Sequence, residues 1–275
     1  MYLINGIEVS KSDFNLPIEN LSLWRGDGIF EAIRIHDRFL FALDRHLKRF
    51  ERSAQKMLFE NIDFDLIKID LQKVASNFTD GYVRVIISRS ESIDSYDVLM
   101  FYQKPVVIPE YYSLETQLSP WHPGGDFSLE ENQIVGTKST SYALNITQTR
   151  LAEQNGFSDA LLLNRKNIIL EGPTFSIGWI KGDTVFIPDL KLGILDSITR
   201  QYINKFGINN LLKVKEGRVT VDEIYEMDSV FALSTAKHGK FVNKINEKTY
   251  EPSPLLEVIQ ACFKNEVKAE KLSNI

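Results

Sequence analysis

Cysteine is almost missing from this chain. Cys262 is the single thiol in 275 residues, so no intramolecular disulfide can form, a disulfide-stapled scaffold is excluded, and a reducing cytoplasm is the expected setting. Histidine is scarce too. His36, His46, His122 and His238 are scattered without Cys/His ligand spacing, so no metal site is expected. Long apolar runs are absent, so no membrane span is expected. The opening MYLINGIEVSKSDFN lacks a basic region followed by an apolar core, so no signal peptide is expected. There is no excess of positive charge. Lys and Arg number 32 against 37 Asp and Glu, a net charge of −5, which argues against a nucleic-acid or anionic-membrane surface while leaving room for a local basic pocket. Repeats and low-complexity runs are also missing. What remains is 43% apolar and 25% charged, an ordinary globular composition, and a chain long enough for one large or two medium domains with real cores.

Along the chain, Ile29–Ile35 and Phe39–Leu43 read as strands joined at His36-Asp37-Arg38. Asp44 is the expected N-cap of a helix whose apolar stripe is Leu47, Phe50, Ala54 and Met57. A second helix is expected over Phe64–Ser76, capped by Asp63, and a strand over Tyr82–Ser88 after Gly81. The stretch Tyr111–Glu131, with Pro120, Pro123, Gly124 and Gly125, shows no period and is expected to be irregular. Beyond it, a helix over Tyr142–Gln154 stops at Gly156, and Ala160–Leu163 and Ile168–Leu170 read as strands. Phe175–Ile180 and Val185–Ile187 form a hairpin turning at Gly182-Asp183. A helix over Ile198–Lys205 follows, then strands near Leu211–Val214 and Val230–Leu233, with capping-box spacing at Thr220-Val-Asp-Glu223 between them. Ser253-Pro254 opens the last helix.

Three local features carry chemistry. Gly136-Thr-Lys138-Ser-Thr-Ser-Tyr142 sets one lysine among small hydroxyl residues just before a helix, where burial or nearby charge can make an amine nucleophilic. Gly193-Ile-Leu-Asp-Ser197-Ile-Thr199-Arg200 is a turn running into a helix, whose exposed N–H groups form an anion site. Glu171-Gly172 ends a strand, where a carboxylate can hold a protonated heterocyclic nitrogen. Singly, each admits a plain reading: a solvated loop lysine, an N-cap by Asp196 or Ser197, and an exposed turn glutamate. Together, a lysine, an acid and a phosphate cup are the parts that a pyridoxal-5′-phosphate (PLP) site needs.

That order resembles the class IV aminotransferases, the fold-type IV PLP enzymes, which include branched-chain aminotransferases, D-amino-acid transaminases, (R)-amine transaminases and aminodeoxychorismate lyases. The likeness covers nearly the whole chain. It begins at Arg25-Gly-Asp-Gly-Ile-Phe-Glu-Ala-Ile-Arg34 and continues through His46-Leu-Lys-Arg49-Phe50 with Ser53-Ala54. The lysine segment, Ala160–Asn164, Glu171-Gly172, Gly193–Arg200 and Ser234-Thr235-Ala236 follow in order. The resemblance implies an α/β with α+β fold in two domains with the cofactor between them: a small N-terminal α+β domain over 1–115, a connecting segment over 116–128 and a large C-terminal α/β domain over 129–275. It also implies a homodimer.

The roles come from the same resemblance. Lys138 is the Schiff-base lysine and the proton shuttle between Cα and C4′. Glu171 holds the pyridine nitrogen protonated. Arg49, Ile198, Thr199 and Thr235 receive the phosphate, and Tyr142 hydrogen-bonds the ring oxygen. Leu195 packs on a ring face or is plain core. Phe30, Tyr82, Arg84 and Ala236 line the substrate pocket, with core packing the alternative for Phe30 and Tyr82. The expected activity is transamination between an amino acid and a 2-oxo acid. A lyase releasing pyruvate from aminodeoxychorismate is the alternative, and a PLP-binding protein without catalysis is a third reading. Substrate signatures conflict. Phe30-Glu-Ala and Tyr82-Val-Arg84 lean towards L-branched-chain enzymes, whereas Ile86-Ile-Ser88-Arg89 leans towards D-amino-acid transaminases and lyases. Lys138 to Tyr142 is one residue shorter than in typical branched-chain enzymes. The loop Thr235-Ala-Lys-His-Gly-Lys-Phe brings in Lys237 and His238, expected near the substrate carboxylate.

Overall fold

The computed structural model describes residues 1–92, 94–119 and 133–273. Pro120, His122, Pro123, Gly124 and Gly125, and most of the expected connecting segment, lie outside them. The chain divides into two compact units. The first comprises 1–107, 137–142 and 269–275; the second comprises 108–136 and 143–268. The lysine segment thus groups with the N-terminal unit.

The first unit is one antiparallel sheet backed by helices. Its elements are β1 (Tyr2–Ile4), β2 (Ile7–Val9), α1 (Leu21–Arg25), β3 (Gly28–His36), β4 (Phe39–Leu40), α2 (Leu43–Lys56), α3 (Phe64–Ala75), β5 (Asp80–Arg89) and β6 (Tyr96–Gln103), in strand order β2-β1-β6-β5-β3-β4. Alternation sets the two faces. Ile29, Ile33 and Ile35 of β3 and Val83, Val85 and Ile87 of β5 bury with Phe50, Ile67, Leu71 and Val74 of the helices. Phe30, Ala32, Arg34, Arg84 and Ile86 point the other way and are half-buried. Asp63 caps α3 as expected, accepting from Leu66 N at 2.8 Å. Asp44 does not cap α2. The helix starts two residues earlier, at Leu43, with Ala42 as its N-cap in the left-handed region (φ 59°) and no side-chain cap. The Ala42 N–H is satisfied instead by Glu270 Oε2 at 2.8 Å, and Asp44 pairs with Lys68 at 2.8 Å.

The second unit is built on a mixed sheet. Its elements are β7 (Tyr112–Leu118), α4 (Ala143–Gln154), β8 (Asp159–Leu163), β9 (Ser176–Lys181), β10 (Thr184–Pro188), α5 (Ile198–Ile208), β11 (Lys213–Gly217), α6 (Val221–Ile224), β12 (Ser229–Leu233), β13 (Lys240–Ile245), β14 (Lys248–Thr249) and the greater part of α7 (Pro254–Ser273), whose end from Ala269 on groups with the first unit. The order is β11-β10-β9-β12-β13-β7-β8, with β14 on β13. Strand β7 corrects the irregular reading of 111–131: it pairs in parallel with both β8 and β13. Ile168–Leu170 makes only isolated bridges, Ile168 to Thr220 and Ile169 to Leu163, and the strand expected at Leu211–Val214 begins at Lys213. The capping box of Thr220 and Glu223 forms in both directions, and Gly182 (φ 58°) turns β9 into β10. Among the described residues, no helix is long and apolar enough to cross a membrane.

Candidate active site

In the first unit the Gly26-Asp27-Gly28 motif seats the lysine segment. Gly26 has φ 66°, and a side chain there would strike Ser141. A Cβ on Gly28 would lie 2.6 Å from Ser22 Oγ and 3.0 Å from Ile87 O. With both side chains absent, 138–141 lies along the start of β3. Phe30 N donates to Lys138 O at 3.0 Å, and Thr140 N to Gly28 O at 2.8 Å. Thr140 Oγ1 and Ser141 Oγ donate to Gly26 O at 2.9 and 3.0 Å. From α2, Ser53 Oγ accepts from Lys138 N at 3.3 Å. The hydroxyl residues around Lys138 therefore fix its backbone. Its Nζ lies 4.2 Å from the centre of the Phe30 ring and 3.4 Å from Tyr142 Oη, and the two rings meet edge to face at 5.3 Å. Lys138 is no solvated loop lysine. Its amine rests on aromatic rings, with no carboxylate in contact among the described residues.

Beneath it lies a charged group that helical periodicity does not predict. Glu31 takes an inward position on β3 beside Ile29 and Ile33 and is 1% exposed. It accepts Arg49 Nε and Nη2, each at 2.7 Å, and His46 Nδ1 at 2.8 Å. Burial alone would push the Glu31 carboxyl up; the Arg49 and His46 beside it hold it well below the usual carboxylate range. Burial pushes the His46 imidazole down, against the pull of Glu31, with Arg49 and Lys138 adding to the drop. A neutral ring facing that carboxylate carries its proton on Nδ1. His46 Nε2 is left buried with no hydrogen-bond partner among the described residues.

Arg84 and Arg89 of β5 differ sharply. Arg89 is buried. It pairs with Asp27 at 3.0 Å, donates to Met57 O at 2.6 Å and lies 4.0 Å over Phe59. The arginine that leaned towards D-amino-acid enzymes thus holds the Gly-Asp-Gly turn to the end of α2. Among the described residues Arg84 has no carboxylate partner. Its Nε donates to Gln103 Oε1, and its guanidinium lies 6.0 Å over Phe30. Tyr82 is buried, under Arg34 at 4.9 Å.

The second unit holds the other six expected residues. Glu171 is half-buried and accepts Leu195 N on Oε1 at 3.2 Å. Its backbone is pinned where Glu171 O accepts Leu162 N at 2.9 Å and Gly172 N donates to Phe175 O at 2.8 Å. Leu195 is half-buried, outside the core. Ser197 caps α5, accepting Arg200 N at 3.1 Å. The N–H groups of Ile198 and Thr199, both buried, have no acceptor among the described residues, so the head of this helix can receive an anion. The Thr235 N–H and hydroxyl have no partner there either. Ser234 Oγ accepts Ala236 N at 3.3 Å and Lys237 N at 3.1 Å. The expectation for Lys237 and His238 is corrected, because both side chains turn into the unit. Lys237 Nζ lies 3.7 Å over Phe175 and 4.4 Å over Tyr112, and burial pushes it down to about 8 against the opposing pull of Asp159. His238 stacks on Phe263 at 5.1 Å. Among the described residues no cluster of His, Cys, Asp or Glu could hold a metal ion.

Comparison with known proteins shows the family. The family model for amino-transferase class IV matches residues 28–245. The chain is 25% identical over 281 residues to the aminodeoxychorismate lyase of Bacillus subtilis (strain 168), covering 98% of this chain and 95% of that one. It is 24% identical over 293 residues to the D-alanine aminotransferase of Bacillus licheniformis, covering 99% of both. The branched-chain aminotransferase of Thermoproteus uzoniensis, solved with norvaline, superposes with a TM-score of 0.86 at 22% identity, over 97% of this chain and 94% of that one; at that identity the likeness shows the fold. The chain belongs to the class IV aminotransferases and is a PLP-dependent enzyme of fold type IV.

Proposed function

We propose that the chain is a transaminase that moves an amino group between an amino acid and a 2-oxo acid, with Lys138 as the lysine that carries the cofactor. The observation that carries this reading is the Lys138 amine resting on Phe30 and beside Tyr142, without a carboxylate among the described residues. The residues present fit PLP on chemical grounds. Buried N–H groups at Ile198 and Thr199 and the unpartnered Thr235 suit a phosphate, and the half-buried Glu171 carboxylate suits a protonated ring nitrogen. When bound, PLP supplies an electron sink for the bonding electrons released at the substrate Cα.

With PLP bound, Lys138 would carry it and its Nζ would take the substrate Cα proton, with Tyr142 Oη orienting that amine. Glu171 would hold the pyridine nitrogen protonated, and Leu195 would pack on the ring. Arg49, held by Glu31, would offer the phosphate a guanidinium suited to its oxygens, and the head of α5 would offer an anion its free N–H groups. Phe30 and Tyr82 would exclude water, Arg84 would receive the substrate carboxylate, and Ala236 would contribute to substrate binding. Arg84 supports an L-branched-chain-type donor, with a D-amino acid as the second candidate; the engagement of Arg89 with Asp27 gives that arginine a structural partner. We further infer a cytoplasmic homodimer.

The Bacillus subtilis relative keeps the lyase as the second reading, since a shared fold does not fix the reaction. One experiment separates them. Holoenzyme mixed with an amino acid and no oxo acid should lose its yellow band stoichiometrically and regain it on addition of a 2-oxo acid. Silence with all common L- and D-amino acids, together with pyruvate release from aminodeoxychorismate, would assign the lyase.

A further inference from the structure

The half-buried face of the small sheet carries two arginines in neighbouring rows, and their surroundings differ. Arg34 is neutralised: Nη2 meets Asp80 at 2.6 Å, and Nη1 donates to Gly81 O at 2.9 Å. Arg84 sits in the next row of the same strand pairing, opposite Ala32 on one side and Phe101 on the other. Burial presses against its charge, and its electrostatic neighbours are the phenols of Tyr142 and Tyr82. Among the described residues its hydrogen bond goes from Nε to Gln103 Oε1. A partly buried guanidinium without a carboxylate bears a desolvation cost that an incoming anion relieves.

The position of Gln103 decides how that anion is met. Gln103 pairs with Tyr82 across β5 and β6, so its carboxamide starts one row beyond Arg84 on the same face. A guanidinium offers a carboxylate two bidentate edges, Nε with one Nη or the two Nη groups together. Gln103 occupies Nε, which closes the first edge and leaves the second. The carboxamide also fixes the guanidinium without neutralising it, whereas a carboxylate at 103 would quench the charge.

We propose that Gln103 is a positioning residue that aims the Nη1–Nη2 edge of Arg84 at the substrate carboxylate and keeps that arginine uncompensated. This rests on the reading of Arg84 as the carboxylate receiver. Holoenzyme is mixed with L-leucine, L-glutamate or D-alanine without oxo acid, and the half-saturating concentration and limiting rate are read from loss of the yellow band. Gln103→Met keeps the shape but removes the strong acceptor. Gln103→Glu keeps the acceptor but neutralises the charge. Both should raise the half-saturating concentration roughly tenfold, the worth of one charge-assisted contact, with the limiting rate changed less than about twofold, as expected when only substrate binding is affected. Gln103→Glu should be the worse of the two. A merely packing role predicts wild-type behaviour for Gln103→Met, and that result would overturn the proposal. Arg84→Gln serves as the control. If it raises the half-saturating concentration while both Gln103 variants do not, the inference fails and the reading of Arg84 stands. If Arg84→Gln has no effect, or no donor bleaches the enzyme, the reading itself fails and takes the inference with it.

Discussion

Replacing Glu31 by Gln should destabilise the protein far more than its position in an isoleucine-rich strand suggests. The carboxylate accepts three charge-assisted hydrogen bonds, at 2.7, 2.7 and 2.8 Å, from two side chains of α2. The amide keeps an acceptor at one oxygen position and puts a donor at the other, facing an N–H of Arg49. At least one charge-assisted bond is lost, worth roughly 1.5–3 kcal/mol, and the buried Arg49 charge loses its counter-ion. Breaking a buried pair from one side costs about 3–5 kcal/mol, and urea denaturation of the apoprotein at neutral pH should show a loss in that range. The pH dependence has a definite sign. The folded-state Glu31 carboxyl lies well below its ordinary value of 4.5, so its contribution is complete above that value and is lost as pH falls below it. The gap between wild type and Glu31→Gln should therefore be constant above about pH 5.5 and close in acid. A variant within about 1 kcal/mol of wild type, smaller than one such bond is worth, or a gap that widens in acid, would refute the coupling of Arg49 to Glu31.

Three further outcomes follow. Lys237→Met should stabilise the protein by about 1–3 kcal/mol at pH 7, because a lysine pushed down to about 8 bears its burial cost below that pH and sheds it between there and 10.5; urea midpoints that show a gain at pH 10 but none at pH 7 would contradict this. Arg49→Ala should weaken PLP binding by about 2–5 kcal/mol, measured by fluorescence titration of the apoprotein, and unchanged affinity would remove Arg49 from the phosphate site. Glu171→Gln should retain PLP but turn over far more slowly, since an amide cannot hold the ring nitrogen protonated; wild-type turnover would mean that another acid does this work.

Much of the architecture was legible because local signals agreed with the fold. Asp63 before α3, Thr220 with Glu223 at α6 and Gly182 in its turn did what their chemistry allows. Strand β7 was masked by the prolines on either side of it. Tyr112 and Leu114 do alternate with polar residues, but parallel pairing on both edges, invisible locally, makes the strand. Asp44 misled because Glu270, far along the chain, supplies the acceptor at the start of α2. The family motifs located Lys138, Arg49 and Glu171, while the groups that fix their surroundings came from elsewhere in sequence. Glu31 could have been found by register. An acid in phase with Ile29, Ile33 and Ile35 must bury, and a buried acid needs cations. Lys237 shows the converse, since adjacency to Thr235 and Ala236 said nothing of where its side chain turns.

The most direct test of the central claim is where the cofactor is attached. Holoenzyme reduced with borohydride, digested and mapped by mass spectrometry should carry the phosphopyridoxyl group on the peptide containing Lys138 alone, and Lys138→Ala should give none while remaining folded by circular dichroism. Stable modification of another lysine in the wild type, above all the half-buried Lys237 with its lowered basicity, would contradict the assignment of Lys138.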